Sequence, residues 1–147
     1  MARRLFDIAL SLLGLTLVLV PGLIVCALIK ATSRGPIFSL QRRVGRHGRP
    51  FRICKFRTMR VESDGAAVTT ERDPRITSIG HFLRRSKIDE LPQLWNFLKG
   101  EMSVIGPRPE MEKFVLQYSP EERKVLEERP GLAFMAQLVY PHEASLL

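Results

Sequence analysis

Residues 8–29 form an uncharged, strongly apolar run of 22 residues. As a helix it would reach roughly 33 Å at 1.5 Å per residue, enough for the ~30 Å hydrocarbon core of a bilayer. A helix that is apolar all round has to be buried in protein or in lipid, so this run constrains the fold more than any other feature. Two observations argue against a simple crossing. Pro21-Gly22 interrupts the run, and a proline inside a helix removes a backbone hydrogen bond and clashes with the preceding turn. Basic residues flank both ends, Arg3 and Arg4 before, Lys30 and Arg34 after, and positive flanks favour the cytoplasmic side. The arms either side of Pro21 would reach only about 20 Å and 12 Å. The sequence therefore predicts a re-entrant helix bent at Pro21, entering and leaving by one face. A spanning helix and a cleaved leader are the alternatives. The flanking charges weigh against the first. The length of the run and the lack of a small-residue cleavage site weigh against the second. Asp7, near the entry, is expected to be interfacial or a cap.

The remainder, residues 32–147, has room for one modest core. The chain carries 23 basic against 15 acidic residues, and residues 30–60 hold ten Lys or Arg and no acid. Such a surface suits nucleic acid, anionic head groups or phosphorylated substrates. Cys26 and Cys54 make no disulfide framework and are expected to be packing residues on a reducing side. Residues 37–44 and 51–58 are β-prone and joined by Gly-Arg-His-Gly-Arg-Pro turn chemistry, which predicts a hairpin. Its second strand puts Lys55 and Arg57 on one face, Cys54 and Phe56 on the other. A polar loop is expected over 61–74. Helices are expected over 79–85, from about 89 to Gly100, over 110–118 and over 120–128.

The chemistry concentrates in residues 84–110. Asp89 and Glu90 stand side by side, and Pro92 is tolerated only in the first turn of a helix, so the pair opens that helix. Capping is the ordinary use of acids there. The cations nearby suggest another, because an ionised Asp beside positive charge can attack phosphorus. Of Arg84, Arg85 and Lys87, not all can face one site. Lys55 and Arg57 could reach a diphosphate or simply face lipid. Arg108 is held between Pro107 and Pro109, and a guanidinium suits bidentate phosphate contact. His47 is expected to be exposed, and His81 and His142 have no partner at metal-ligand spacing. P-loop and dinucleotide glycine motifs are absent.

Taken together these segments resemble the small monotopic phosphoglycosyl transferases of the bacterial sugar transferase family. The resemblance rests on the proline-broken apolar N-terminus and on Gly35-Pro-Ile-Phe, Gln41-Arg-Arg-Val-Gly and Lys55-Phe-Arg-Thr-Met. It continues through Asp73-Pro-Arg-Ile-Thr, Asp89-Glu-Leu-Pro-Gln-Leu-Trp-Asn, Leu98-Lys-Gly-Glu-Met-Ser and Gly106-Pro-Arg-Pro, in order over residues 3–131. It implies transfer of a sugar-1-phosphate from a UDP-sugar to a membrane polyprenyl phosphate, with release of UMP and use of Mg2+. It implies that Asp89 carries the phosphosugar and that Glu90 helps hold the metal or manages protons, with Asp89 also within the metal's reach. Lys55, Arg57, Arg84 (chosen over its neighbours on the resemblance) and Arg108 would bind phosphate or nucleotide groups. The family usually continues Arg-Pro-Gly with Ile-Thr-Gly, whereas here Leu132-Ala133-Phe134 follows Gly131. The end at Leu147 is short against the family.

The expected architecture is thus α+β and helix-rich. Residues 1–31 form the re-entrant membrane helix, and residues 32–147 a small cytoplasmic catalytic domain with a short β-hairpin. The structural prolines are Pro21, Pro92, Pro107 and Pro109. The expected partners are the UDP-sugar, the polyprenyl phosphate and the bilayer of the bacterial inner membrane, with no nucleic acid; a homodimer is compatible. Two rivals are a basic membrane-anchored binding module and a catalytically impaired relative.

Overall fold

The computed structural model describes residues 2–61 and 73–133. Helix α1 (Ala2–Thr32) is followed by the antiparallel hairpin β1 (Phe38–Val44) and β2 (Pro50–Phe56). Then come α2 (Ser78–Arg85), a 3-10 helix Ile88–Gln93 and α3 (Leu94–Lys99). Strand β3 (Ser103–Ile105), α4 (Glu112–Val115), a second 3-10 helix Glu122–Glu127 and β4 (Gly131–Ala133) complete the order. Phe134 and His142, singled out in the sequence, lie outside the described residues, as does most of the expected polar loop.

One stripe of α1 lies on the rest of the protein. Asp7, Ser11, Val25 and Ile29 are buried, and Arg4, Gly14, Val18 and Gly22 between them are half-buried. The spacing alternates three and four residues along the helix, so a single face is covered on both sides of Pro21. The opposite face is apolar and bare: Leu5, Leu12, Leu17, Val20, Leu23 and Ile24 are each more than half exposed. Both ends are tied down. At the start, Arg4 donates to the carbonyls of Phe97 and Leu98 at the end of α3. Asp7 accepts from Ser103 Oγ at 3.0 Å and from the Val104 amide at 3.1 Å. At the far end, Arg57 donates to the carbonyl of Arg34 at 2.8 Å and to the carbonyl of Ser33 at 2.9 Å. Both carbonyls lie just past the last turn of α1, where its dipole favours a cation. Small residues let α1 approach closely: a side chain at Gly14 would meet Leu94 Cδ1 at 2.9 Å.

Two expectations are corrected in α1. Asp7 is neither interfacial nor a cap of its own helix. It is 1% exposed and binds β3. Nor does Pro21 interrupt the helix, which runs from Ala2 to Thr32 through it; Pro21 falls on the exposed side, where its ring displaces no packing contact.

The hairpin divides the interior. Phe56 joins Val25, Ile29 and Leu83 in one cluster, while Ile53 joins Phe97 and Met102 in another. Asn96, fully buried, fixes the outer edge of β2. Its Nδ2 donates to the Arg52 carbonyl at 2.7 Å, and its Oδ1 accepts from the Cys54 amide at 3.1 Å. This mimics a neighbouring strand and satisfies backbone groups that would otherwise be orphaned.

The expected helix at residue 89 begins instead as the 3-10 turn Ile88–Gln93, with Pro92 inside it, and becomes α-helical only at Leu94. Gly100 ends it in the left-handed region, as expected. The two long helices expected over 110–128 shrink to α4 and the 3-10 helix Glu122–Glu127. Most side chains of 116–128 are exposed, so little apolar burial sustains a longer helix there. The Ser119 amide donates to Glu122 Oε2, and the Glu122 amide to Ser119 Oγ, a capping box that sets the start of the second. The parallel pair β3–β4 was not anticipated. It needs bare backbones: a side chain at Gly106 would lie 2.3 Å from the Arg129 carbonyl, and one at Gly131 2.1 Å from the Gly106 nitrogen.

Candidate active site

The 3-10 turn brings Asp89 and Glu90 to the floor of an open cleft of about 740 Å3. β2 supplies Lys55, α2 supplies Arg84, and the segment after β3 supplies Arg108. All six residues singled out for chemistry, Lys55, Arg57, Arg84, Asp89, Glu90 and Arg108, line this one cleft. Lys87 and Arg43 line it too. Arg85, the neighbour set aside, is exposed and does not line it.

Each side chain is held by an identifiable contact. Lys55 Nζ donates to Glu90 Oε1 at 2.8 Å, with both side chains about a fifth exposed. Arg84 Nε donates to Thr58 Oγ1 at 2.9 Å. Thr58 is itself fixed, since its carbonyl accepts from the Thr77 amide at 2.9 Å, and α2 crosses so closely that a side chain at Gly80 would sit 2.1 Å from that oxygen. Arg57 is 5% exposed; its two terminal nitrogens donate to Ser33 and Arg34 just past α1, while its buried Nε has no partner among the described residues. Arg108 is exposed at the cleft edge and, among the described residues, has no hydrogen bond or ion pair. Its backbone is clamped by the Pro107 carbonyl, which accepts from the Gly131 amide at 2.9 Å.

The electrostatics separate the two acids. Burial pushes the Asp89 carboxyl above the ordinary range; Lys55 opposes this, adjacent Glu90 adds to it, and Arg84 and Lys87 oppose it. For Glu90 burial also acts upward, but the charge and hydrogen bond of Lys55, with Lys87 and Arg108, outweigh it and leave the group lowered. Glu90 is thereby the more readily ionised of the two and Asp89 the more basic carboxylate. Asp89 Oδ1 is buried without a hydrogen-bond partner among the described residues, an oxygen free to bind a ligand.

Lys87 is the residue that sequence reasoning missed. It sits at φ 59°, ψ 12°, in the left-handed region that favours glycine. Its charge is felt by both Asp89 and Glu90. The signal lay in its place, directly after the last turn of α2, where a left-handed residue usually ends a helix. Asp73, from the Asp-Pro-Arg-Ile-Thr segment, is paired with Arg75 at 2.6 Å, and the hydrogen bonds from Arg75 hold its carboxyl at about 2. Among the described residues no three His, Cys, Asp or Glu side chains gather as a metal cage.

Comparison with known proteins places this geometry in context. A model of the family described as bacterial sugar transferase matches residues 1–146. A protein of Bacillus subtilis (strain 168), provisionally named an undecaprenyl-phosphate N-acetylgalactosaminyl 1-phosphate transferase, is 44% identical over 121 residues, covering 81% of this chain and 68% of the relative. The UDP-N-acetylgalactosamine-undecaprenyl-phosphate N-acetylgalactosaminephosphotransferase of Aeromonas hydrophila is 42% identical over 149 residues, 97% of this chain and 35% of the relative. The UDP-glucose:undecaprenyl-phosphate glucose-1-phosphate transferase of Klebsiella pneumoniae is 40% identical over 144 residues, 92% of this chain and 30% of the relative. The chain thus spans about two thirds of the first relative and about a third of the other two.

Proposed function

Since the chain belongs to the bacterial sugar transferase family, we propose that it transfers a sugar-1-phosphate from a UDP-sugar to a membrane polyprenyl phosphate. The observation that carries this reading is the convergence of Asp89, Glu90, Lys55, Arg84 and Arg108 on one cleft beside an apolar anchor. The substrates named for the relatives are consistent with it.

The chemistry runs in two displacements at phosphorus. Asp89 attacks the β-phosphorus of the UDP-sugar as its carboxylate, which burial makes the more basic of the pair. A bond forms between the carboxylate oxygen and phosphorus, the bridging P–O bond breaks, and UMP leaves with that electron pair. A phosphate oxygen of the polyprenyl phosphate then attacks the same phosphorus, Asp89 departs as carboxylate, and polyprenyl diphosphosugar results. Phosphoryl transfer of this kind needs placed groups and neutralised charge more than covalent help. Lys55, Arg84 and Arg108 supply the positive charge, and Thr58 aims Arg84. Magnesium uses one or two carboxylates together with substrate phosphates. Glu90, kept anionic, and the unpartnered Oδ1 of Asp89 fit such an ion, whose contribution is to neutralise the diphosphate.

The anchor is monotopic in this reading. Both ends of α1 are bonded to the same body, through Arg4 and Asp7 at one end and Arg57 at the other. A helix crossing the bilayer would carry one of those ends away from it. The bare apolar face of α1 lies in lipid, with α1 re-entrant and the basic cleft on the cytoplasmic side. The test is UMP release from purified protein given UDP-sugar, Mg2+ and polyprenyl phosphate. Repeated turnover that requires both substrates, with only a stoichiometric burst on donor alone, and release that falls about a thousandfold in Asp89→Asn support the reading; equal release by Asp89→Asn sinks it.

A further inference from the structure

The cleft has two chemically different sides. Beside the charged residues, Pro36, Phe38, Leu40 and Val61 also line it, with Phe38 and Leu40 on the hairpin face of Phe56 and Cys54, the reverse of the face that carries Lys55. Phe38 is 44% exposed and Leu40 57% exposed. They stand two residues apart on β1 and so share one face. Among the described residues β1 pairs with β2 alone. A pair of large apolar side chains left bare on a two-stranded sheet beside a phosphate-handling cleft calls for an apolar ligand.

The bare side chains are joined to the anchor. The Phe38 ring stacks on Phe56, with centroids 5.5 Å apart and planes 20° from parallel. Phe56 is buried against Val25 and Ile29 of α1. Their neighbours Ile24 and Leu28 are 58% and 43% exposed on the lipid-facing side of that helix. Phe38 and Leu40 are therefore on the side of the hairpin that packs on α1, tied to it through buried Phe56. Of a UDP-sugar only the flat uracil ring offers an apolar face; its diphosphate, ribose and sugar hydroxyls do not match aliphatic Leu40, Pro36 and Val61. The polyprenyl acceptor presents a phosphate joined directly to hydrocarbon, and matches a surface that changes from cationic to apolar within one cleft.

We infer that Phe38 and Leu40 form the wall on which the first isoprene units of the acceptor lie, delivering its phosphate to the floor at Asp89. The inference rests on the proposed two-step transfer and assigns the acceptor's side of the cleft.

The two steps allow it to be tested apart from that reading. Leu40→Gln removes an exposed side chain and leaves the Phe38–Phe56 stack in place; Phe38→Ala is the second variant and Leu40→Met the apolar control. Donor alone, in a rapid single turnover, reads the first displacement, and steady-state turnover against acceptor concentration reads the second. The expected result is an unchanged UMP burst and donor KM, an acceptor KM raised about tenfold in Leu40→Gln and Phe38→Ala, and recovery in Leu40→Met. An unchanged acceptor KM, or a raised donor KM with a diminished burst, overturns the assignment. If the parent releases no UMP, the underlying function fails instead, and this is visible before any wall variant is made.

Discussion

Replacing Asp7 by alanine should detach the start of α1 from the body of the protein. The Asp7 carboxylate is 1% exposed and accepts two hydrogen bonds through Oδ1, from Ser103 Oγ and from the Val104 amide. Alanine leaves both donors without that acceptor, and a buried donor left unpaired costs about 1–3 kcal/mol. The Ser103 hydroxyl can rotate to another acceptor; the Val104 amide cannot. The combined loss is therefore about 2–4 kcal/mol. Asparagine keeps an oxygen at the Oδ1 position and removes a buried charge whose Oδ2 has no partner among the described residues, so it should cost about 1 kcal/mol or less. For a chain of this size each kcal/mol shifts the midpoint by about 2–4 °C. Asp7→Ala should melt roughly 5–15 °C below the parent and Asp7→Asn within a few degrees of it. The assay is thermal unfolding in detergent, read by the fluorescence of the single tryptophan, Trp95. Trp95 adjoins Leu94, whose side chain packs where α1 passes at Gly14. An Asp7→Ala midpoint equal to that of the parent would show that the carboxylate does not clamp the anchor. Equal losses in the alanine and asparagine variants would show that charge, not the acceptor oxygen, is what matters.

Lys87→Gly should separate stability from activity. Glycine relieves a left-handed backbone costing about 1 kcal/mol, so the melting midpoint should rise or hold, while loss of a cation facing both carboxylates lowers kcat/KM about tenfold; a stable variant of full activity would remove Lys87 from the site. The acid limb of the kcat/KM profile should lie above the ordinary aspartate range near 3.8, because burial raises Asp89 and the protonated form cannot attack. Since Lys55 lowers both acids, Lys55→Met should move that limb to still higher pH; a limb that stays or moves down contradicts the assignment.

The site was largely legible in the sequence because its pieces are local. Asp89, Glu90 and Pro92 occur within four positions, and Arg108 is marked by two prolines. The strand period placed Lys55 on the side that meets Glu90. What escaped depends on contacts far apart along the chain. Asp7 looked interfacial because its partners, Ser103 and Val104, lie over 90 residues away. The bonds of Arg57 to the carbonyls of Ser33 and Arg34 could not be read either, because they join residues more than twenty positions apart. The β3–β4 pair is three residues on each side, too short for an alternating pattern to show. Lys87 was passed over because its charge was visible and its backbone conformation was not.

The claim at the centre is that Asp89 carries the phosphosugar. The most direct measurement is mass spectrometry of the protein after a brief reaction with UDP-sugar and Mg2+ in the absence of acceptor. The expected result is one added phosphosugar, located to the peptide containing Asp89, matched mole for mole by UMP, discharged on adding polyprenyl phosphate and absent from Asp89→Asn. An unmodified protein that still turns over when both substrates are present, or an adduct that survives in Asp89→Asn, would contradict it.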